Sequence, residues 1–250
     1  MEVHTVSEEA RSAIEGRRWF HSFEVLPGLW TPGRSSRIDT RHVLSDLHGL
    51  PQDMTGMRAL DIGTLDGPYA FELEKRGADA VGLDIQSPDR MGFNTAKKVR
   101  NSKVQHVQGN VYDLSTLFPS ESFDIVLFFG VWYHLKNPVR AFEQINLVLK
   151  TGGTLAAEGE CLLNYMEFND SALQVDTLSK SDIPLSIFYP NGVKNDVSSW
   201  YVPNPACVKA WTEATSFNVI QTTFEDHPPH QRMRISAIKS GSVRVDNPVW

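Results

Sequence analysis

The stretch "ALDIGTLDGPYAFELEKRGADAVGLDI" (59–85) constrains the fold more than any other: an apolar run, a glycine-bearing loop, a helix-like segment, then a second apolar run ending in an acid. That order is the opening βαβ unit of a nucleotide-binding sheet, where glycines let a strand turn sharply into a helix beside a ligand. The dinucleotide pattern G-x-G-x-x-G needs a second glycine to admit a pyrophosphate. Here Leu65 stands in that place and Pro68 in the third, which argues against a nicotinamide dinucleotide. What remains is Asp61-x-Gly63-x-x-x-Gly67, with Pro68 suited to the first helical turn and Gly77 to the helix end. Such a loop suits a nucleoside without phosphates. Asp84 closes the second apolar run about 20 residues past the loop, where a carboxylate accepts both ribose hydroxyls. Asp61 is placed to meet an ammonium group.

Apolar runs bounded by turn residues at 57–63, 79–85, 103–109, 123–130, 152–159, 217–224 and 232–239 read as strands. Helix-like segments at 67–77, 87–100 and 137–153, with a short turn near 113–118, alternate with the first five. The expectation is an α/β, Rossmann-like, doubly wound seven-stranded sheet. A helix over 203–217 feeds the last two strands, which form an antiparallel hairpin at the edge. The stretch 160–203 is too long for a plain connection and is expected to form a lid together with residues 1–50. The main domain is then 51–240, with a tail at 241–250.

Composition narrows the function. A chain of 250 residues with 41% hydrophobic and 22% charged residues is ordinary for a globular protein. No apolar run is long enough to span a membrane, and the N-terminal stretch carries acids and arginines instead of an apolar leader, so a cytoplasmic place and no membrane partner are expected. Cys161 and Cys207 lie far apart and read as buried thiols, with no metal-ligand spacing. A net charge of -6 argues against a broad nucleic-acid footprint and favours a small-molecule acceptor.

A ligand combining adenine, a free ribose diol and an amino-acid tail is S-adenosylmethionine, and residues 55–160 resemble the class I S-adenosylmethionine-dependent methyltransferases. The resemblance implies that Asp84, with Ile85 beside it, holds the nucleoside, and that Asp61, Gly63 and Gly67 lie under the methionine moiety. It implies that Asn110 and Val111 in "QGNVYDL" (108–114) reach the adenine edge. It also implies that "FFGVWYHLKNP" (128–138), with Phe129 and Gly130 at its start, closes over the methionine part and faces the acceptor. Leu65 for the usual middle glycine and Asn110 for the commoner acid depart from the pattern.

"WFHSFEVLPGLWTPG" (19–33), "GVWYHLKNP" (130–138) and "WYVPNPACVKAWTEATSF" (200–217) carry a narrower resemblance to the group related to bacterial tRNA wobble-uridine carboxymethyl-transferring enzymes. Those enzymes use carboxy-S-adenosylmethionine and read its carboxylate with a lysine ahead of the core. This sequence has His21 near that place and no lysine between residues 1 and 74, so transfer of a plain methyl group is expected, with S-adenosylhomocysteine as product and no metal.

His134, at the end of the fourth strand, is a candidate general base for a hydroxyl acceptor. His21 is a second base or lid contact, and the Tyr133 hydroxyl can hold the sulfonium tail or the acceptor. Glu158 and Glu160 end the fifth strand and could bind an acceptor amine or hydroxyl. Trp30, Trp132, Phe168, Trp200 and Tyr201 are expected to line an apolar acceptor pocket. Lys180 and Lys194 are the only cations of the 160–203 stretch, too few for a tRNA site that interleaves stacking aromatics with basic residues. The reading is methyl transfer to a heteroatom, oxygen first, of a small aromatic or apolar metabolite of the natural-product kind. A tRNA wobble-uridine transferase and a non-catalytic S-adenosylmethionine-binding module are the alternatives.

Overall fold

The computed structural model describes residues 6–167, 172–174, 177, 180–193, 196–227 and 230–243, and the chain divides into two units, Met1–Asp46 with Leu50–Val111, and Leu47–Gly49 with Tyr112–Trp250. In the first, the Ser7 side chain accepts the Ala10 amide and so caps helix α1 (Glu8–Glu15). Strands β1 (Glu24–Leu26) and β2 (Leu29–Trp30) form a hairpin, and helix α2 (Thr40–Ser45) follows on an Asp39 cap. Then come β3 (Arg58–Ile62), α3 (Pro68–Lys75), β4 (Asp79–Asp84), α4 (Phe93–Arg100) and β5 (Gln105–Gln108), with β3, β4 and β5 parallel. Helix α4 begins later than the expected 87–100 because the Ser87 carbonyl and hydroxyl take the Arg90 and Asp89 amides into a turn first.

Aromatic packing makes the N-terminal segment part of this unit's core. Phe93 stacks on Phe71 at 5.3 Å, Phe71 on Phe23 at 6.4 Å, and Phe23 meets Trp19 edge-on at 6.0 Å. All four are buried, and each contributes about 2 kcal/mol through area removed from water. Trp19 fits only because position 92 is glycine: a Cβ there would lie 2.1 Å from the indole ring.

The second unit runs α5 (Leu114–Leu117), β6 (Phe123–Phe129), α6 (Pro138–Val148) and β7 (Leu149–Glu160). The Asn137 side chain accepts the Arg140 amide and caps α6. That helix ends at Val148, short of the expected 153, because the backbone turns extended at Leu149 and the Gly152–Gly153 pair belongs to β7. A Cβ on Gly153 would press to 2.9 Å of the Asp124 carbonyl, so the strand passes there only without a side chain.

Two small antiparallel pairs, β8 (Tyr165–Glu167) with β9 (Ala172–Gln174) and β10 (Ser186–Phe188) with β11 (Tyr201–Pro203), occupy the long stretch after β7. Helix α7 (Pro205–Ala214) then leads to β12 (Phe217–His227) and β13 (His230–Lys239), the expected hairpin, with β13 antiparallel to β7. Gln231 of β13 fixes how the stretch leaves β7: its Oε1 accepts the amides of Leu163, Asn164 and Tyr165 at 3.1, 2.7 and 3.1 Å, and its Nε2 donates to the Tyr165 carbonyl. The hydrogen-bonded order of the seven-stranded mixed sheet is β12-β13-β7-β6-β3-β4-β5.

Candidate active site

The loop after β3 reads as a cradle held from beneath. Gly63, Leu65 and Gly67 have φ of +78°, +49° and +92°, so the loop runs through the left-handed region three times. Glycine adopts that region freely and leucine does so against steric resistance. The Gly63 and Thr64 amides donate to the Leu83 carbonyl at 2.8 and 3.1 Å, and the Leu65 amide donates to Asp84 Oδ2 at 2.9 Å. Asp84 Oδ1 accepts the Gln86 amide at 2.9 Å. The carboxylate is thus oriented by two backbone donors and keeps lone pairs for further donors. Ile85 next to it exposes 65% of its surface, an apolar face beside a fixed acid.

Asp61, at the end of β3, is buried and accepts the Ala70 amide at 3.1 Å. Burial pushes its carboxyl up to about 6, against the Thr64 hydroxyl, the His21 imidazole and the Ala70 amide, which favour its charged form. Asn110 is exposed and Val111 is buried in the 3-10 turn Val111–Asp113.

Asp66, inside the same loop, is a residue the sequence did not single out. It is fully buried, and its Oδ2 accepts the amides of Phe20 and His21 at 2.8 and 2.9 Å while Oδ1 bonds His21 Nδ1. The His21 carbonyl in turn accepts from the Thr31 hydroxyl at 2.6 Å, and a Cβ on Gly33 would strike that carbonyl. His21 is therefore the tether by which the N-terminal segment is fastened to the loop. Trp30, on β2, lies under the Arg37 guanidinium at 4.8 Å.

In the second unit, Phe129 is buried at the end of β6 and Gly130 turns the chain with φ +72°. Trp132 departs from its expected place as a pocket aromatic. It is fully buried, its Nε1 donates to the Glu160 carbonyl at 2.9 Å, and it fills the space left by Gly159, so it is a core wedge. Tyr133 packs against Arg232, whose guanidinium lies 5.5 Å from the ring centre. Arg232 bonds both carboxylate oxygens of Glu158, through Nε and, at 2.9 Å, through Nη2. Burial opposes the charge on Arg232, but Glu158 outweighs it, and burial holds the Tyr133 phenol above its ordinary value. Glu158 is thereby committed to Arg232, which the sequence did not flag as its partner.

His134 presents Nδ1 to Ser198, and burial lowers its pKa below the ordinary histidine value against the pull of Asp196 and the Ser198 carbonyl. Trp200 stacks on Phe188 at 6.3 Å, receives the Lys136 ammonium at 4.5 Å and donates its amide to the Tyr133 carbonyl, while Tyr201 touches the same Phe188 ring. Phe168 lies outside the described residues. Among the described residues no group of three or more His, Cys, Asp or Glu is placed to hold a metal ion, and no helix is long and apolar enough to cross a membrane.

The strand order, with a glycine loop at the end of the strand that opens the parallel half, is the α/β fold of class I methyltransferases. Residues 60–157 match the methyltransferase domain family. The tRNA U34 carboxymethyltransferase of Colwellia psychrerythraea is 27% identical over 176 residues, 70% of this chain and 48% of that protein. The chain spans about half the length of the curated relatives it matches. Among solved structures, the Burkholderia thailandensis 1,6-didemethyltoxoflavin-N1-methyltransferase with bound 1,6-didemethyltoxoflavin and S-adenosylhomocysteine superposes with a TM-score of 0.56 at 13% identity, covering 81% of this chain and 77% of that one. A cyclase, SpnF, superposes with a TM-score of 0.59 at 15% identity, covering 82% and 80%. The shared fold alone therefore does not choose the reaction.

Proposed function

We propose that this chain is an S-adenosylmethionine-dependent methyltransferase that acts on a heteroatom, oxygen first, of a small aromatic or apolar acceptor. The residues of the first unit suit the cofactor: a twice-oriented carboxylate, Asp84, for the ribose diol, the exposed Ile85 face for the adenine, and Asp61 for the ammonium. Bound S-adenosylmethionine supplies a methyl group on a sulfonium that leaves as the thioether, keeping the C–S electron pair, when an acceptor oxygen takes the methyl. The protein's part is positioning, exclusion of water and removal of one proton. His134, kept neutral by burial, takes that proton, and Tyr133, kept protonated, donates a hydrogen bond.

One observation carries the choice of acceptor. The charge of Arg232 beside Tyr133 is cancelled by Glu158, and the charged group facing His134 is the carboxylate of Asp196. Such a lining favours an uncharged acceptor over a phosphate backbone.

The second reading, a tRNA wobble-uridine transferase, is favoured by the name of the curated relatives. The test is calorimetric titration with S-adenosylhomocysteine, followed by incubation with S-adenosylmethionine and either a panel of phenols and alcohols or unmodified tRNA, products being read by mass. Methylated small molecules support the first reading. Modification of tRNA alone replaces it with the second, and no binding of S-adenosylhomocysteine removes both.

A further inference from the structure

His134 lies in the 3-10 turn Trp132–His134, with 34% of its side chain exposed. Three groups from the stretch after β7 converge on its Nδ1: the Ser198 carbonyl at 3.3 Å, the Ser198 hydroxyl at 3.1 Å and Asp196 Oδ2 at 3.9 Å. A carbonyl oxygen only accepts, so its contact with Nδ1 is a hydrogen bond only when that nitrogen carries the hydrogen. The hydroxyl makes the same demand. Ser198 donates its Oγ proton to Asp196 Oδ1 at 2.6 Å, which leaves Oγ a lone pair for the ring.

Asp196 is itself held. Its Oδ1 also accepts the Ser198 amide at 2.8 Å, its Oδ2 accepts the Ser199 hydroxyl at 3.2 Å, and its backbone pairs with Val193 in both directions. The Trp200 amide then bonds the Tyr133 carbonyl at 2.7 Å, returning the segment to the turn that carries the histidine.

We propose that Asp196 and Ser198 are positioning residues for His134: together they keep Nδ1 protonated and leave Nε2 as the lone pair that takes the acceptor's proton. The inference deepens the proposed function and rests on its reading of His134 as the base. The acceptor O–H proton passes to Nε2 and the imidazole becomes imidazolium, whose charge the Asp196 carboxylate stabilises. A carboxylate that fixes a histidine tautomer and steadies the resulting cation is a general device for making imidazole an effective base. Here a serine stands between the two.

Long-range proton–nitrogen correlation spectra of the full 15N-labelled chain, at about pH 8 where imidazole is neutral, read which ring nitrogen holds the proton. The His134 signals are those lost in His134→Gln. The expected result is a protonated Nδ1 and a bare Nε2 in the unsubstituted chain, with loss of that preference in Asp196→Ala and its retention in Asp196→Asn, whose Oδ1 still accepts from Ser198. A proton on Nε2 in the unsubstituted chain overturns the inference, and so does an unchanged Nδ1–H preference in Asp196→Ala. If Asp196→Ala fails to fold, the unsubstituted spectrum and Asp196→Asn still decide: a tautomer switch in the latter also overturns it. S-adenosylhomocysteine titration of the same samples tests the function separately, because tautomer and cofactor binding fail independently.

Discussion

The buried carboxylate of Asp66 bonds His21 twice, at the backbone amide, 2.9 Å away, and at the imidazole Nδ1. A loop expected to serve only a cofactor thus also fastens residues 20–21 of the N-terminal segment, so the fold of that segment and the shape of the loop stand or fall together.

Asp66→Ala leaves the Phe20 and His21 amides without their acceptor. Both bonds are part-buried, so each orphaned amide costs about 1 kcal/mol, the low end of the range for buried groups, and a loss of roughly 2 kcal/mol in urea unfolding is expected. Asp66→Asn can still accept both amides and should lose about 1 kcal/mol. A stability within experimental error of the parent for the alanine variant would show that the tether carries no weight.

Asp84→Ala removes the proposed ribose acceptor while β4 remains paired to both neighbours. The expected outcome is at least a hundredfold, or about 2.7 kcal/mol, loss of S-adenosylhomocysteine affinity with the folded state retained. Undiminished binding in calorimetry would remove Asp84 from the cofactor site.

Leu65 holds φ +49°, a conformation that costs a side chain about 1–2 kcal/mol and glycine almost nothing. Glycine gives back about 0.4–1 kcal/mol through a freer unfolded chain. Leu65→Gly should therefore be neutral to stabilising by up to about 1 kcal/mol. Clear destabilisation would mean that the leucine side chain packs well enough to offset its backbone.

Asp61 has a folded-state carboxyl raised from 3.8 to about 6, so between those values the folded chain holds more proton than the unfolded one. Stability then falls as pH climbs from about 4 to about 6, and the deficit, on the order of 2–3 kcal/mol, persists above that window. Asp61→Asn should flatten the slope. Unfolding midpoints at a series of pH values decide it: parallel curves for parent and variant would show that Asp61 is charged throughout.

Arg232→Met strands the Glu158 carboxylate, most of whose surface is covered, and should cost about 3–5 kcal/mol. The double variant Arg232→Met, Glu158→Gln should recover most of that, since no charge is left unpaired. If the two substitutions add without recovery in a double-mutant cycle, the pair is not coupled.

The sequence exposed the parts of the fold that obey simple patterns. β3, β4 and β6 are apolar runs bounded by turn residues, and β12 with β13 is a hairpin of two such runs. Gly63 and Gly67 were legible because left-handed backbone demands glycine, whereas Leu65 adopts the same conformation without announcing it. Asp66 looks like any acid between turn residues; its function depends on residues 45 positions away that only the fold brings to it. Arg232 is one of two alternating arginines in β13, and nothing local tells which of them bonds Glu158. Trp132 could not be told from a pocket aromatic because burial at a turn leaves no periodic trace.

Gln231 belongs to the sheet, yet it takes hold of the first residues of the stretch that follows β7. The junction is thus held from two sides, by the frame through Gln231 and by the returning segment through the Pro203 carbonyl, which accepts the Leu162 amide at 2.8 Å. Exchange of the interior of that stretch leaves both anchors in place, whereas exchange of residues 196–200 removes the partners of His134 and Tyr133. A foreign segment between Tyr165 and β10, with Gln231 and Pro203 kept, is the natural unit of exchange.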